Sequence, residues 1–364
     1  MRNHTCTRPF RRVAAALALV STAALALAGC SAAAERGGGA GEPAHADSGS
    51  AAAGPLTPVS FALDWAPNTN HIGVYVADAL GYYADAGIEV EILPYGSTPA
   101  SQLVSAGAAD FGIGGQAGVQ SGRTSGLDVV SVYCITQQDT GRLVFLGDRD
   151  DLSRPADLDG LVFGGFGSPM LTALAATTIR GDGGKGEFEE VSLDSGSYEA
   201  LSQGRIDFTL SVSTWQDIQM QLDGHPFKAF RYQDFGVPEQ QSTGIISSDA
   251  YLEAHPDAAR AFVSATARGY AFAAEHPDEA ADLLIEANPD TLGSAEELVR
   301  ESARVMASDD YLVSTDRPIG EADPEAWDEF GGFLLENGFL TDASGEKVTR
   351  APDWSTYYTN EYLQ

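Results

Sequence analysis

Two short runs carry most of the side chains able to do chemistry: Trp65-Ala66-Pro67-Asn68-Thr69-Asn70-His71 and Ser213-Thr214-Trp215-Gln216. Each sets an indole face beside amide, hydroxyl or imidazole groups. That combination suits capture of a flat heteroaromatic ring, stacked on aromatic faces and fixed by a few hydrogen bonds. Asn68, Asn70 and His71 also sit where a helix begins, so each has a capping role open to it, and Asn70 is the most cap-like of the three. Gly96-Ser97-Thr98 and Gly167-Ser168 present backbone N–H groups at helix starts, where a phosphate, sulfonate or carboxylate can sit; ordinary tight turns read the same way. Gln116, Gln137 and Gln216 add amide acceptors, and Phe166 an aromatic face beside the second Gly-Ser run.

Catalytic patterns are missing from the same inventory. The sequence contains no Gly-x-Ser-x-Gly elbow and no His-Glu-x-x-His helix. His255-Pro256-Asp257 and His276-Pro277-Asp278 recur 21 residues apart and resemble paired metal ligands. Proline at a first helical turn with an acid beside it is, however, the mark of a helix start, here twice over. The expectation is binding without catalysis, with no metal and no cofactor.

The elements that must position these residues follow from periodicity. Val59, Phe61 and Leu63 alternate as a strand; Val76, Leu80 and Tyr83 share a helical face that Gly87 ends. Ile88, Val90 and Ile92 alternate again, a short helix opens at Thr98-Pro99, and Phe111 and Ile113 begin a third strand. A second layer starts at Leu161-Val162-Phe163, enters a helix that runs through Thr178, and continues through Val191, Tyr198–Leu201 and Ile206-Asp207-Phe208. Beyond Tyr251 the pattern is helical. The fold class is α/β, with two layers and a helical return forming two lobes around a cleft. Ligands of open α/β sheets bind at the carboxyl ends of strands, which places both chemical runs and both Gly-Ser runs in that cleft.

The N-terminus gives the location. Arg2, Arg8, Arg11 and Arg12 precede an apolar run from Val13 to Ala28, a secretory signal too short to span a membrane. Leu27-Ala28-Gly29-Cys30 resembles the bacterial lipobox, which implies cleavage before Cys30 and lipid on its sulfur. Residues 31–57 are Ala, Gly, Ser and Pro with few large apolar side chains, a tether reaching roughly 30 Å on average. The expected organisation is therefore 1–29 signal, 30–57 lipidated tether, 58–145 plus 246–364 one lobe, and 146–245 the other. Net charge is −31, and the cut would remove four arginines and no acid, taking it to −35. Such a surface excludes nucleic acid as a partner and leaves the lipid as the sole membrane contact. Cys134 is then the one remaining thiol, so no intrachain disulfide forms and a buried core role is expected.

At the cleft loops the chain resembles a known family. Leu63-Asp64-Trp65-Ala66-Pro67-Asn68-Thr69-Asn70-His71-Ile72-Gly73, with Gly81-Tyr82-Tyr83, Gly87-Ile88-Glu89-Val90, Gly269-Tyr270 and the terminal Tyr358-Thr359-Asn360-Glu361-Tyr362-Leu363, is similar to periplasmic-binding proteins of the thiamine-pyrimidine-precursor group. The resemblance implies a type II two-lobed receptor, monomeric and extracytoplasmic, that hands a small heterocycle to an ABC permease and its ATPase. It implies aminopyrimidines as ligands, with sulfonates, nitrate or flavins in more distant relatives. Fungal pyrimidine synthases of the same superfamily carry pyridoxal phosphate on a lysine, with a histidine four residues later. The matching positions here are Gly114 and Gly118, and the fungal cysteine loop falls at Glu239-Gln240-Gln241-Ser242, so the resemblance does not bring that chemistry with it. With the cleft reading above, the expected ligand contacts are Trp65, Asn68, Asn70, His71, Gly96, Ser97, Gln116, Phe166, Gly167, Ser168, Ser213 and Trp215. Ser213 stands where pyrimidine-binding relatives place a glutamate, and Phe166 where they often have tryptophan, which leaves the ligand open.

Overall fold

Ten strands form two five-stranded mixed sheets in a computed structural model that describes residues 55–193, 196–308 and 310–363. The first sheet contains β1 (Thr57–Ala62), β2 (Ile88–Leu93), β3 (Phe111–Ile113), β4 (Val130–Cys134) and, last in the chain, β10 (Gly244–Ser247). Their order is β2-β1-β3-β10-β4. The second contains β5 (Gly141–Leu146), β6 (Val162–Gly165), β7 (Glu189–Ser192), β8 (Phe208–Val212) and β9 (Phe227–Arg231), in the order β7-β6-β8-β5-β9. In each sheet the parallel strands come from strand–helix–strand units, as the alternation of the sequence requires.

The two chain crossings share one design. β5 follows β4 but joins the second sheet, antiparallel to β8 and β9. β10 follows β9 but joins the first, antiparallel to β3 and β4. The crossings are therefore residues 135–140 and 232–243. The first lies ahead of the expected boundary at 145/146, because the apolar run 141–146 pairs with its distant neighbours rather than with β4. Buried Asp139 ties the crossings together: its carboxylate accepts from Gln240 Nε2 at 2.9 Å and Gln233 Nε2 at 3.1 Å.

The helices start and stop for local reasons. Ser168 caps the Pro169–Gly181 helix, and Pro256 and Pro277 occupy the first turns of Pro256–Glu275 and Pro277–Ala287. Both His-Pro-Asp runs are thus helix starts. The first helix ends earlier than Gly87: Gly81 at φ 73° breaks Ile72–Ala79 from Tyr82–Asp85. Ile72–Ala79 crosses Pro256–Glu275 at two glycines, where a Cβ on Gly269 would lie 2.0 Å from the Gly73 carbonyl oxygen. This close approach lets the Tyr270 hydroxyl donate to the Asn70 carbonyl at 2.6 Å and fixes the turn before the helix. Cys134 is buried in the core beside Trp327 and Phe330, where desolvation pushes its thiol up to about 12. Cys30 lies outside the described residues.

Candidate functional site

The end of β1 builds the first half of the site. Leu63 is the last core residue of the strand run, and the chain then turns outward through Asp64 and Trp65. Trp65 is 59% exposed, and its ring meets Tyr95, from the end of β2, at 5.4 Å between centroids and a 40° tilt. Such an exposed aromatic pair at strand ends is a stacking surface. Beside it lies a pocket of about 250 Å³ lined by Asp64, Tyr95, Gly96, Ser97, Gly114 and Gly118, among others. A Cβ on Gly118 would meet nothing within 4 Å, so the missing side chain adds directly to the open space.

Behind this wall the turn at 68–71 is held by the side chains of Asn68 and His71. Asn68 Oδ1 accepts from the Asn70 N–H at 2.9 Å, and its Nδ2 donates to the Ala66 carbonyl at 2.9 Å. Asn68 is the cap, in place of the expected Asn70, because its extended backbone at φ −155° turns the side chain back over the helix start. The Asn70 side chain, half-buried, carries no hydrogen bond among the described residues. His71 is fully buried, with Nε2 3.0 Å from Asp64 Oδ1.

The second half lies at the ends of β6 and β8. Phe166 follows β6 and meets the Tyr198 ring at 6.1 Å. Gly167 takes φ +69°, and Ser168 accepts from the Leu171 N–H as a cap. After β8, the Ser213 hydroxyl pairs with Tyr311 OH at 2.7 Å, and Arg142 Nη2 donates to the same phenol at 3.0 Å. Ser211 donates to Asp217, whose carboxyl is pushed up by burial, with this bond and then the nearby Arg142 opposing the shift in part. Ser302 bonds both Thr69, at 2.6 Å, and the Thr214 carbonyl, so the turn at 68–71 is linked to the loop after β8.

The expected contact residues therefore separate into two groups. Gly96 and Ser97 line the pocket, with Trp65 against Tyr95 beside it; Phe166, Gly167 and Ser168 follow β6, and Ser213 and Trp215 follow β8. Trp65 meets Tyr95, while Trp215 is partly buried against the core that holds Val59, Phe61 and Ile72. Gln116 is buried and spent, donating to the Ala326 carbonyl and accepting from the Gln241 N–H. Asn68 and His71 are likewise committed inside the protein. Residues absent from the expected set are Asp64, Tyr95, Arg142, Tyr198, Asp217 and Tyr311. Asp64 and Tyr95 adjoin Trp65 and Gly96 in the same loops, a signal available in the sequence; Tyr311, from the segment after the Glu296–Ser308 helix, had none. Among the described residues no group of three or more His, Cys, Asp or Glu side chains could hold a metal ion.

Residues 68–280 match the family described as NMT1/THI5 like. The chain belongs to that family. A formylaminopyrimidine-binding protein of Halalkalibacterium halodurans is 32% identical, over 78% of this chain and 87% of that protein. The riboflavin-binding protein RibY of Chloroflexus aurantiacus is 26% identical, over 85% of this chain and 86% of that protein. Family relatives at lower identity include 4-amino-5-hydroxymethyl-2-methylpyrimidine phosphate synthases. Among solved structures, the periplasmic aliphatic sulphonate binding protein SsuA from Escherichia coli gives a TM-score of 0.61 at 14% identity, covering 81% of this chain and 92% of its own. The fold is thus that of periplasmic solute-binding proteins, as the sequence implied.

Proposed function

We propose that this chain is the solute receptor of an ABC importer, held outside the cytoplasmic membrane by lipid on Cys30, and that it captures an aminopyrimidine precursor of thiamine. The observation that carries the reading is the pocket of about 250 Å³ lined by Tyr95, the ring partner of Trp65, and by the side-chain-free wall at Gly114 and Gly118. Small-molecule pockets commonly run to roughly 300–1,000 Å³, so this one suits a single ring. A flavin, the ligand named for the relative RibY, needs room for three fused rings. The formylaminopyrimidine-binding relative, matched over most of its length, supports the pyrimidine. A synthase reading has no support at Gly114 or Gly118, since neither forms a Schiff base nor donates an imidazole. Lobe closure would complete the site from the Phe166 and Ser213 side, and the permease and ATPase would take the closed form.

Uptake in cells tests the proposal. Deleting the gene should abolish accumulation of labelled 4-amino-5-hydroxymethyl-2-methylpyrimidine at limiting concentration, and the intact gene should restore it. Cys30→Ser should release the protein into the soluble extracytoplasmic fraction. Unchanged uptake in the deletion strain would count against the receptor role, and a variant that stays membrane-bound would count against the lipid anchor.

A further inference from the structure

His71 has no exposed surface, and both ring nitrogens have fixed partners. The Asn68 backbone N–H donates to Nδ1 at 3.3 Å, and Nε2 lies 3.0 Å from Asp64 Oδ1. An Nδ1 that accepts leaves the hydrogen on Nε2, so the imidazole donates to the carboxylate. Asp64 remains 45% exposed, and its Oδ2 has no hydrogen-bond partner among the described residues. It is the one carboxylate lining the pocket, and no arginine or lysine lines it.

We infer that Asp64 is the specificity residue that accepts from the exocyclic amine of the ligand, with His71 the positioning residue that aims it. A wall with one carboxylate and no cation repels phosphate, sulfonate and nitrate. A single free oxygen is also too few for a calcium or magnesium ion, which gathers six or more oxygens. It matches a neutral N–H donor on a flat ring held against Tyr95. Ser97 and Ser101, whose hydroxyls carry no hydrogen bond among the described residues, line the same pocket and complement ring nitrogens. The assignment deepens the receptor reading above and rests on it. It also gives the chain a ring-amine acceptor on the first half of the site, where Ser213 offers none on the second.

The test is equilibrium titration of the purified protein with 4-amino-5-hydroxymethyl-2-methylpyrimidine and with its 4-oxo analogue. Wild-type protein should prefer the amine by roughly tenfold to a hundredfold, the range of a hydrogen bond to a charged group. In Asp64→Asn, the His71 N–H keeps the amide oxygen and turns the NH2 group into the pocket, so the preference should reverse toward the 4-oxo ring. Asp64→Ala should lose the amine preference without gaining 4-oxo affinity. His71→Phe, in protein that still melts cooperatively, should shrink the amine-to-oxo ratio toward one; a merely structural role would weaken both ligands alike. Wild-type ratios retained in Asp64→Asn, with an unchanged melting temperature, would overturn the inference and leave the receptor reading intact. Failure of the wild-type protein to bind either pyrimidine would overturn both.

Discussion

Ser213 Oγ and Tyr311 OH stand 2.7 Å apart, joining the end of β8 to the segment that follows the Glu296–Ser308 helix. Arg142 donates to the same phenol, so one hydroxyl serves two partners from the second sheet. Tyr311→Phe should cost about 1–3 kcal/mol of stability in urea, because it strands a buried hydroxyl and a guanidinium together. Ser213→Ala combined with Tyr311→Phe should cost less than the two single changes summed, since the double variant strands one group fewer. Strict additivity would show that the bond contributes nothing.

The crossing of Ile72–Ala79 with Pro256–Glu275 depends on having no side chain at Gly269. Gly269→Ala places a Cβ 2.0 Å from a backbone oxygen, which cannot rotate away. The expected loss is about 1–3 kcal/mol, the usual range for overpacking. Gly332, inside the Pro324–Glu336 helix, is the contrast: an added Cβ meets nothing within 4 Å. Gly332→Ala should stabilise by about 0.5–1 kcal/mol through helix propensity. Equal effects at the two sites would refute the packing argument.

Asp217 supplies a pH dependence whose sign is fixed. Burial raises its folded pKa above the unfolded value, so the native state holds that proton more tightly. The associated stability is fully present below the unfolded pKa, about 3.9 for aspartate, and is lost as pH rises through the raised folded value. Asp217→Asn keeps an acceptor for Ser211 and removes this titration. Relative to wild type, the variant should therefore gain stability as pH rises from about 3.9 upward, read by urea melts along a pH series. A difference that does not change with pH would contradict the burial of this carboxyl.

Cys134 reports on the core. Its thiol is buried and pushed up to about 12, so little thiolate exists at pH 8. In the cleaved, lipidated chain it should resist a water-soluble thiol reagent in the native state and react promptly in urea. Prompt native reaction would mean that the core opens around β4.

Much of this was legible in the sequence because it is local. Alternation at Ile88, Val90 and Ile92 gave a strand, and His276-Pro277-Asp278 gave a helix start, as found. What could not be read was set by distant partners. The stretch Leu143–Leu146 is continuously apolar, as any buried strand can be, and only the pairing of 141–146 with β8 and β9 assigns it to the second sheet. Asn68 and Asn70 are both competent caps, and the backbone angles at Asn68 decide between them. The ring partner of Trp65 is Tyr95, thirty residues away on the neighbouring strand end, a contact that no local pattern announces. The loop position of Asp64 was legible beside Trp65, but its pairing with a buried histidine seven residues later is seen only once the turn is built.

The central claim is tested most directly by calorimetric titration of the purified protein with 4-amino-5-hydroxymethyl-2-methylpyrimidine and, separately, with riboflavin. Saturable one-to-one binding of the pyrimidine is expected, weakened when Trp65 is replaced by alanine, with no binding of riboflavin. Saturable riboflavin binding with none of the pyrimidine would contradict it.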